Sequence, residues 1–249
     1  MSKLSGSSMI AALGAIILLA SCRSSRAPEG AEANVLKRWI SIEKFPCFGH
    51  CQTYRMSVYR NGLILLEARE HLDKAGVYFT EIRGDRLDKL RKMDKSIPWQ
   101  QLQAEYFVNI ADLPVTEIHY YDLNGARIKS VKANANLPGD LGDFAKELHQ
   151  LIRSEKWTQL QRKSETTNPE VIYDEIIVEM DSTLTPEDME LAFSAYGLQR
   201  EKRISPLMNL WNFRYDGAAT GPYEMLVLIR KKAGVRHANF NRKILPREE

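Results

Sequence analysis

The stretch from Met9 to Ala20, followed at once by Ser21 and Cys22, constrains the rest of the chain more than any other feature. Lys3 puts a positive charge near the start, and no acidic residue occurs before Glu29. Between them lie Met9, Ile10, Leu13, Ile16, Ile17, Leu18 and Leu19 among small residues. A basic start, a short apolar run and a small-residue exit form the pattern of a secretory signal peptide. The run is short for a membrane span, which needs roughly 20 apolar residues. Residues 1–21 are therefore set apart from the fold, and the remainder of the chain is expected to fold outside the cytoplasm.

The exit reads Leu19-Ala20-Ser21-Cys22. This resembles the bacterial lipobox at all four positions. The resemblance implies cleavage between Ser21 and Cys22 and diacylglyceryl transfer to the Cys22 sulfur. A simple membrane anchor, or an ordinary signal with a chance cysteine, is the alternative. Each buried CH₂ contributes about 0.8 kcal/mol, so one acyl chain holds marginally while two or three hold firmly. Residues 22–35, rich in Ser, Ala, Glu and Gly, cannot build a core and read as a flexible tether. Arg23 and Ser24 follow Cys22, without an inner-membrane retention aspartate or the acidic cluster of a surface-export signal. The expected location is the outer membrane, facing the periplasm.

Hydrophobic residues make up 44% of the chain, enough for ordinary cores. The net charge of +3 is spread over interleaved Lys, Arg, Asp and Glu, so nucleic acid is not an expected partner. Of three cysteines, lipid would occupy one, leaving Cys47 and Cys51. In an oxidising compartment such a pair persists as a disulfide.

The pattern predicts two small α+β domains. In the first, residues 36–162, a strand over Trp39–Ile42 leads into the loop Phe45-Pro46-Cys47-Phe48-Gly49-His50-Cys51. Residues 53–60 and 63–68 alternate around Asn61-Gly62, the strongest short hairpin signal. A third strand comes next over Gly76–Ile82, then a helix over Asp85–Lys95 with Leu87, Leu90 and Met93 at helical spacing. A second hairpin turns at Asn124-Gly125. A helix over Asp140–Arg153 carries Leu141, Phe144, Leu148, Leu151 and Ile152 on one stripe, and Trp157 closes the core. Strands in hairpins with separate helices make an α+β unit.

Cys47-Phe48-Gly49-x-Cys51, with Tyr54, resembles the signature of an uncharacterised domain family found in envelope lipoproteins of Bacteroidetes-type bacteria. Gln52 stands where that family usually has proline; Asp112-Leu113-Pro114 and Trp157 also fit. The resemblance covers most of this domain and implies no activity. The loop itself leaves three readings. A structural disulfide is favoured; it closes a small ring and would contribute at most about 2–3 kcal/mol. Two free thiols are the second. The third is metal or redox chemistry using Cys47, His50 and Cys51. Structural zinc usually draws on two separated ligand pairs, and His71, His119 and His149 lie far apart in sequence. No metal or cofactor is expected.

Residues 163–169 (Lys-Ser-Glu-Thr-Thr-Asn-Pro) read as a linker. In residues 170–249 a strand over Tyr173–Met180 precedes a helix with Thr185 as N-cap and Pro186 first. Two further strands span Leu198–Ile204 and Leu210–Tyr215, then a helix runs from Pro222 and a last strand covers Val235–Ile244. The order βαββαβ predicts a ferredoxin-like sandwich.

Glu175–Val178, Tyr196-Gly197-Leu198, Ile204–Trp211 and Val235–Asn241 resemble the propeptide, or inhibitor, domain that precedes subtilisin-like proteases. The resemblance implies binding to a protease through the open sheet face, with the C-terminal tail entering the active-site cleft as an added strand. It points to Trp211, Phe213, Ile244 and Leu245 as partner-facing residues, and to an exported subtilisin-like protease or another envelope protein as partner. The chain ends at Glu249 with no protease domain after it, so any action is expected in trans. Glu248 and Glu249 weigh against tight inhibition, because burying unpaired carboxylates is costly.

The chain contains no Gly-x-Ser-x-Gly elbow, no His-Glu-x-x-His, no phosphate loop and no dinucleotide fingerprint. The acid pairs Asp140/Asp143 and Glu187/Asp188 start helices, where the dipole already favours them. The sequence is therefore expected to encode a non-catalytic binding or structural module. A regulator of a protease is the alternative, and an enzyme or metal site at the Cys47–Cys51 loop a distant third.

Overall fold

Alternation around the two Asn-Gly turns produces the antiparallel hairpins of a large sheet, antiparallel but for its β5 edge. The computed structural model describes residues 35–243. Strands β1 (Arg38–Lys44), β2 (Thr53–Tyr59), β3 (Leu63–Glu70) and β4 (Gly76–Glu81) succeed one another in chain order. Strands β5 (Glu105–Tyr106), β6 (Thr116–Tyr121) and β7 (Arg127–Ala133) extend the sheet beside β1, and β8 (Thr158–Arg162) closes it beside β4. The order is β5-β7-β6-β1-β2-β3-β4-β8. The β2–β3 turn needs its glycine. Gly62 has φ +89°, and a Cβ there would strike the carbonyl oxygen of Ile82.

One face of this sheet is covered by α1 (Asp85–Ser96) and α2 (Gly139–Ser154). Ile40, Ile42, Tyr54, Met56, Val58, Ile64 and Leu66 meet Leu87, Leu90, Leu141, Phe144, Leu148 and Ile152 in one apolar cluster. The five apolar residues of the predicted stripe on α2 are all buried. Trp157 packs against the edge of this cluster.

The predicted linker takes a different form. Residues 158–162 continue the first sheet, and Lys163–Thr166 form a short helix, α3. The second sheet is built from β9 (Val171–Met180), β10 (Gln199–Ser205), β11 (Leu210–Arg214) and β12 (Val235–Arg242), in the order β10-β11-β9-β12. Two helices connect its strands: α4 (Pro186–Ala192) and α5 (Pro222–Arg230). Thr185 caps α4: its Oγ1 accepts from Asp188 N at 3.1 Å, and its own N donates to Asp188 Oδ2 at 3.0 Å. The architecture is α+β, as expected, with two sheets.

Tyr173 Oη donates to the carbonyl of Thr166 at 3.2 Å, tying α3 to the second sheet. The two units also share a core. Tyr59, Leu63, Leu65, Val77 and Leu160 from the first sheet pack with Ile176, Phe213, Met225, Val227 and Phe240 from the second unit. Helix α5 explains this. Its sequence, Pro-Tyr-Glu-Met-Leu-Val-Leu-Ile-Arg, has no polar face, and a helix apolar all round must be covered on more than one side. It lies between the two sheets, so the layers run helices, sheet, helices, sheet.

At the end of α5, Arg230 joins two sheet edges. Its Nε donates to Ala238 O on β12 at 2.8 Å, and its Nη atoms reach Gln159 O and Leu160 O on β8 at 3.3 and 3.4 Å.

Candidate functional site

Two places bring chemistry-bearing side chains together. The first is the end of the large sheet where β1 runs into β2. Cys47 and Cys51 are bonded there, with their Cα atoms 5.8 Å apart. Gly49, at φ +138°, lets the five-residue ring close. Phe48 is 89% exposed at its tip. Shortly after the ring, Tyr54 is fully buried, and its Oη lies 3.1 Å from His149 Nδ1 on α2. Their rings stack at 5.7 Å. Burial pushes the Tyr54 phenol well above its ordinary value and the His149 imidazole below its own; Lys44 and Arg153 add to the second effect. Burial also lowers Lys44. Lys44 and His149 line a cavity of about 530 Å³ with Ile42, Thr116, Asn136 and Asp143.

The second place is a cleft of about 440 Å³ between the large sheet and the start of α5. Arg38, Arg55, Arg127, Glu43 and Glu67 line it from the sheet and Glu224 from α5, with Ser41, Ser57, His119 and Tyr121 among them. Glu43 is buried. Burial would raise its pKa, but hydrogen bonds from Arg55 (2.9 Å) and Arg69 (2.6 Å) hold it below the usual carboxylate range. On the opposite wall Glu224 is 8% exposed and accepts from Arg38 Nη2 at 2.6 Å and from Tyr59 Oη at 2.5 Å. Arg38 stands over the rings of Tyr59 and Tyr121, at 5.9 and 5.6 Å from their centres. Burial would lower its pKa, but Tyr59 and Glu224 carry it above the ordinary arginine value. Such an arrangement fixes charged groups of both signs at the mouth of a water-accessible slot. It is suited to a ligand that carries both charges, or to a polar loop of a partner.

The sequence-predicted residues fall in different places. Cys47 and Cys51 come together as expected. Trp211 and Phe213 pair with Val178 and Ile176 on the helix-covered side of the second sheet, not on its open face. Phe213 is 0% exposed and has no surface to offer a partner; Trp211 is half-buried and packs on the same core. Alternation along β11 leaves Asn212 and Arg214 on the open face. There Glu175 accepts from Asn212 at 2.8 Å and from Asn241 at 2.6 Å, and pairs with Arg214. Ser21, Cys22, Ile244 and Leu245 lie outside the described residues. Among the described residues no helix is long and apolar enough to cross a membrane. The interlayer cleft has no counterpart in the sequence reading, because its walls come from β1, β2, β3, β4, β6, β7 and α5 and no local motif joins them.

A two-sheet α+β chain with a disulfide-ringed loop is the class these features define. Residues 38–152 match a family described as a domain of unknown function, DUF6438. This covers the sheet from β1 to β7 with α1 and α2, and stops before β8. No curated protein and no solved structure matches the chain.

Proposed function

We propose that this chain is a lipid-anchored lipoprotein of a bacterial cell envelope and works there as a non-catalytic binding module. In this reading lipid on Cys22 holds it to the membrane, and the interlayer cleft receives a polar partner. One observation carries it: Cys47 and Cys51 are bonded to each other, which leaves Cys22 as the one cysteine outside a pair. A disulfide suits an exported chain, and an unpaired cysteine directly after Leu-Ala-Ser suits lipidation. Cell fractionation tests the anchor. Wild type should sediment with membranes and enter detergent, while Cys22→Ser should remain soluble in the exported fraction. Equal distribution of the two would defeat the proposal. For the cleft, a partner retained from detergent-solubilised envelopes should be lost when Arg55 and Arg127 are changed to Glu. Retention by the double variant would remove the cleft from the proposal.

A second reading rests on the second sheet. Strand order β10-β11-β9-β12 with helices after β9 and β11 supports a ferredoxin-like reading of this unit. Its face away from α4 and α5 carries Arg214, which is exposed, and Asn241, over the buried Glu175 and Asn212. A trans-acting regulator of an exported subtilisin-like protease would use this face. Assay against a panel of subtilisin-like proteases decides it: inhibition at micromolar concentration supports the regulator, and none at that level discards it.

A further inference from the structure

The chain has five histidines, and three of them are engaged. His119 Nδ1 lies 2.9 Å from Ser130 Oγ, His149 Nδ1 lies 3.1 Å from Tyr54 Oη, and His237 Nε2 lies 2.6 Å from Asn239 Nδ2. The other two have only each other. His50, inside the disulfide ring, and His71, on the turn between β3 and β4, meet with ring centres 5.0 Å apart and planes at 90°. Among the described residues neither imidazole makes a hydrogen bond or an ion pair. All four ring nitrogens are therefore free, on two exposed side chains brought together from positions well separated in sequence.

Both backbones are held in place. His50 sits in the five-residue ring closed by Cys47 and Cys51. His71 has φ +56°, a left-handed conformation that few non-glycine residues adopt. Such local cost is tolerated where surrounding structure fixes it, and it gathers at sites of function. The β2–β3–β4 ladder supplies that fixation here, pairing Thr53 with Glu70 directly beneath the two loops.

We infer that His50 and His71 form a two-histidine site for a borderline divalent transition-metal ion, of the Cu²⁺, Ni²⁺ or Zn²⁺ class. Neutral imidazole is the ligand these ions favour among uncharged side chains. Two imidazoles that share one ion each hold it about 2.1 Å from a ring nitrogen, which sets their ring centres roughly 5 Å apart; the centres of His50 and His71 stand 5.0 Å apart. The bonded cysteines are not ligands. Among the described residues no group of three or more His, Cys, Asp or Glu side chains stands ready to hold a metal ion. The site therefore supplies two ligands and leaves the remaining coordination positions to water or to a donor from another molecule. Open positions suit metal capture or handover at an exposed rim more than a closed structural role.

Titration calorimetry with CuCl₂ and with ZnCl₂ tests this. The protein is the full-length, untagged chain with the Cys47–Cys51 bond intact and Cys22→Ser removing the remaining thiol. One equivalent of metal should bind, Cu²⁺ more tightly than Zn²⁺. His50→Ala and His71→Ala should each weaken binding at least about tenfold, since even groups behind a ligand are worth that much. His119→Ala, His149→Ala and His237→Ala should leave it unchanged. The Cu²⁺ electron paramagnetic resonance spectrum should show coupling to two imidazole nitrogens, reduced to one in either single variant. No binding at micromolar metal, or affinity and spectra unaltered in the His50→Ala/His71→Ala double variant, would overturn the assignment. Both side chains are exposed, so these variants keep the fold, which thermal unfolding of each checks. The outcome is independent of whether Cys22 carries lipid.

Discussion

The two faces of the large sheet come from the same strands and behave in opposite ways. On one face Ile40, Ile42, Tyr54, Met56, Val58, Ile64 and Leu66 form a continuous apolar layer under α1 and α2. On the other, alternation places Ser41, Glu43, Arg55, Ser57 and Glu67 beside Tyr59, Leu63 and Leu65. The apolar part of that face is sealed by α5, and the charged part is left as the cleft. One face thus packs under helices. The other divides its area between holding the second unit and keeping charged groups near water.

Four measurements would break or sharpen this contrast. The largest effects should come from the two cores. Phe144→Ala on the buried face of α2 should cost about 3–5 kcal/mol, and Met225→Ala in the shared core about 2–5 kcal/mol. If the shared core couples the units, heat unfolding of Met225→Ala should remain one transition by far-ultraviolet circular dichroism and by tryptophan fluorescence. A separate early transition would break the picture of one coupled body. Next, Glu224→Gln removes the charge that holds Arg38 and Tyr59, and should cost about 1.5–3 kcal/mol in urea titration. A neutral result would mean that the cleft wall is held by packing instead. Smaller again, Thr185→Ala removes the cap of α4, on the far side of the shared core, and should cost about 0.5–2 kcal/mol.

The smallest effect concerns pH. Burial, then Lys44 and Arg153, hold His149 below the ordinary histidine value. The unfolded chain therefore takes up this proton first as pH falls. The contribution is complete above the free-histidine value of about 6.5 and declines as pH drops below it and through the lower folded value. Burial shifts His119 in the same direction, so the informative quantity is a difference. The loss of melting temperature between pH 7 and pH 5 should be smaller in His149→Gln than in wild type. Equal losses would show that the dry face contributes nothing to acid sensitivity.

Much of the fold was legible from local rules. Asn61-Gly62 and Asn124-Gly125 turn where hairpin chemistry places them, the apolar stripe of α2 is the buried one, and Thr185 caps α4. The misses share a cause. Thr158–Arg162 carries a single apolar residue, Leu160, so no period marks it as a strand; its place is fixed by pairing with β4. The propeptide resemblance points to Trp211 and Phe213 as a binding surface, but aromatic residues at alternate positions of a strand serve equally well as core. Which face α5 covers decides between the two, and only the tertiary structure reveals it. His50 and His71 are separated by two strands, and a linear search for ligand spacing cannot join them. The cleft was invisible for the same reason.

Arg230 has a consequence beyond the fold itself. β8 and β12 are the outer strands of their sheets, and outer strands present backbone groups that other chains can extend. One guanidinium occupies the carbonyls of Gln159, Leu160 and Ala238 along both. The two sheets thus close off each other's growth at that corner. At that corner neither outer strand offers these carbonyls to a neighbouring copy.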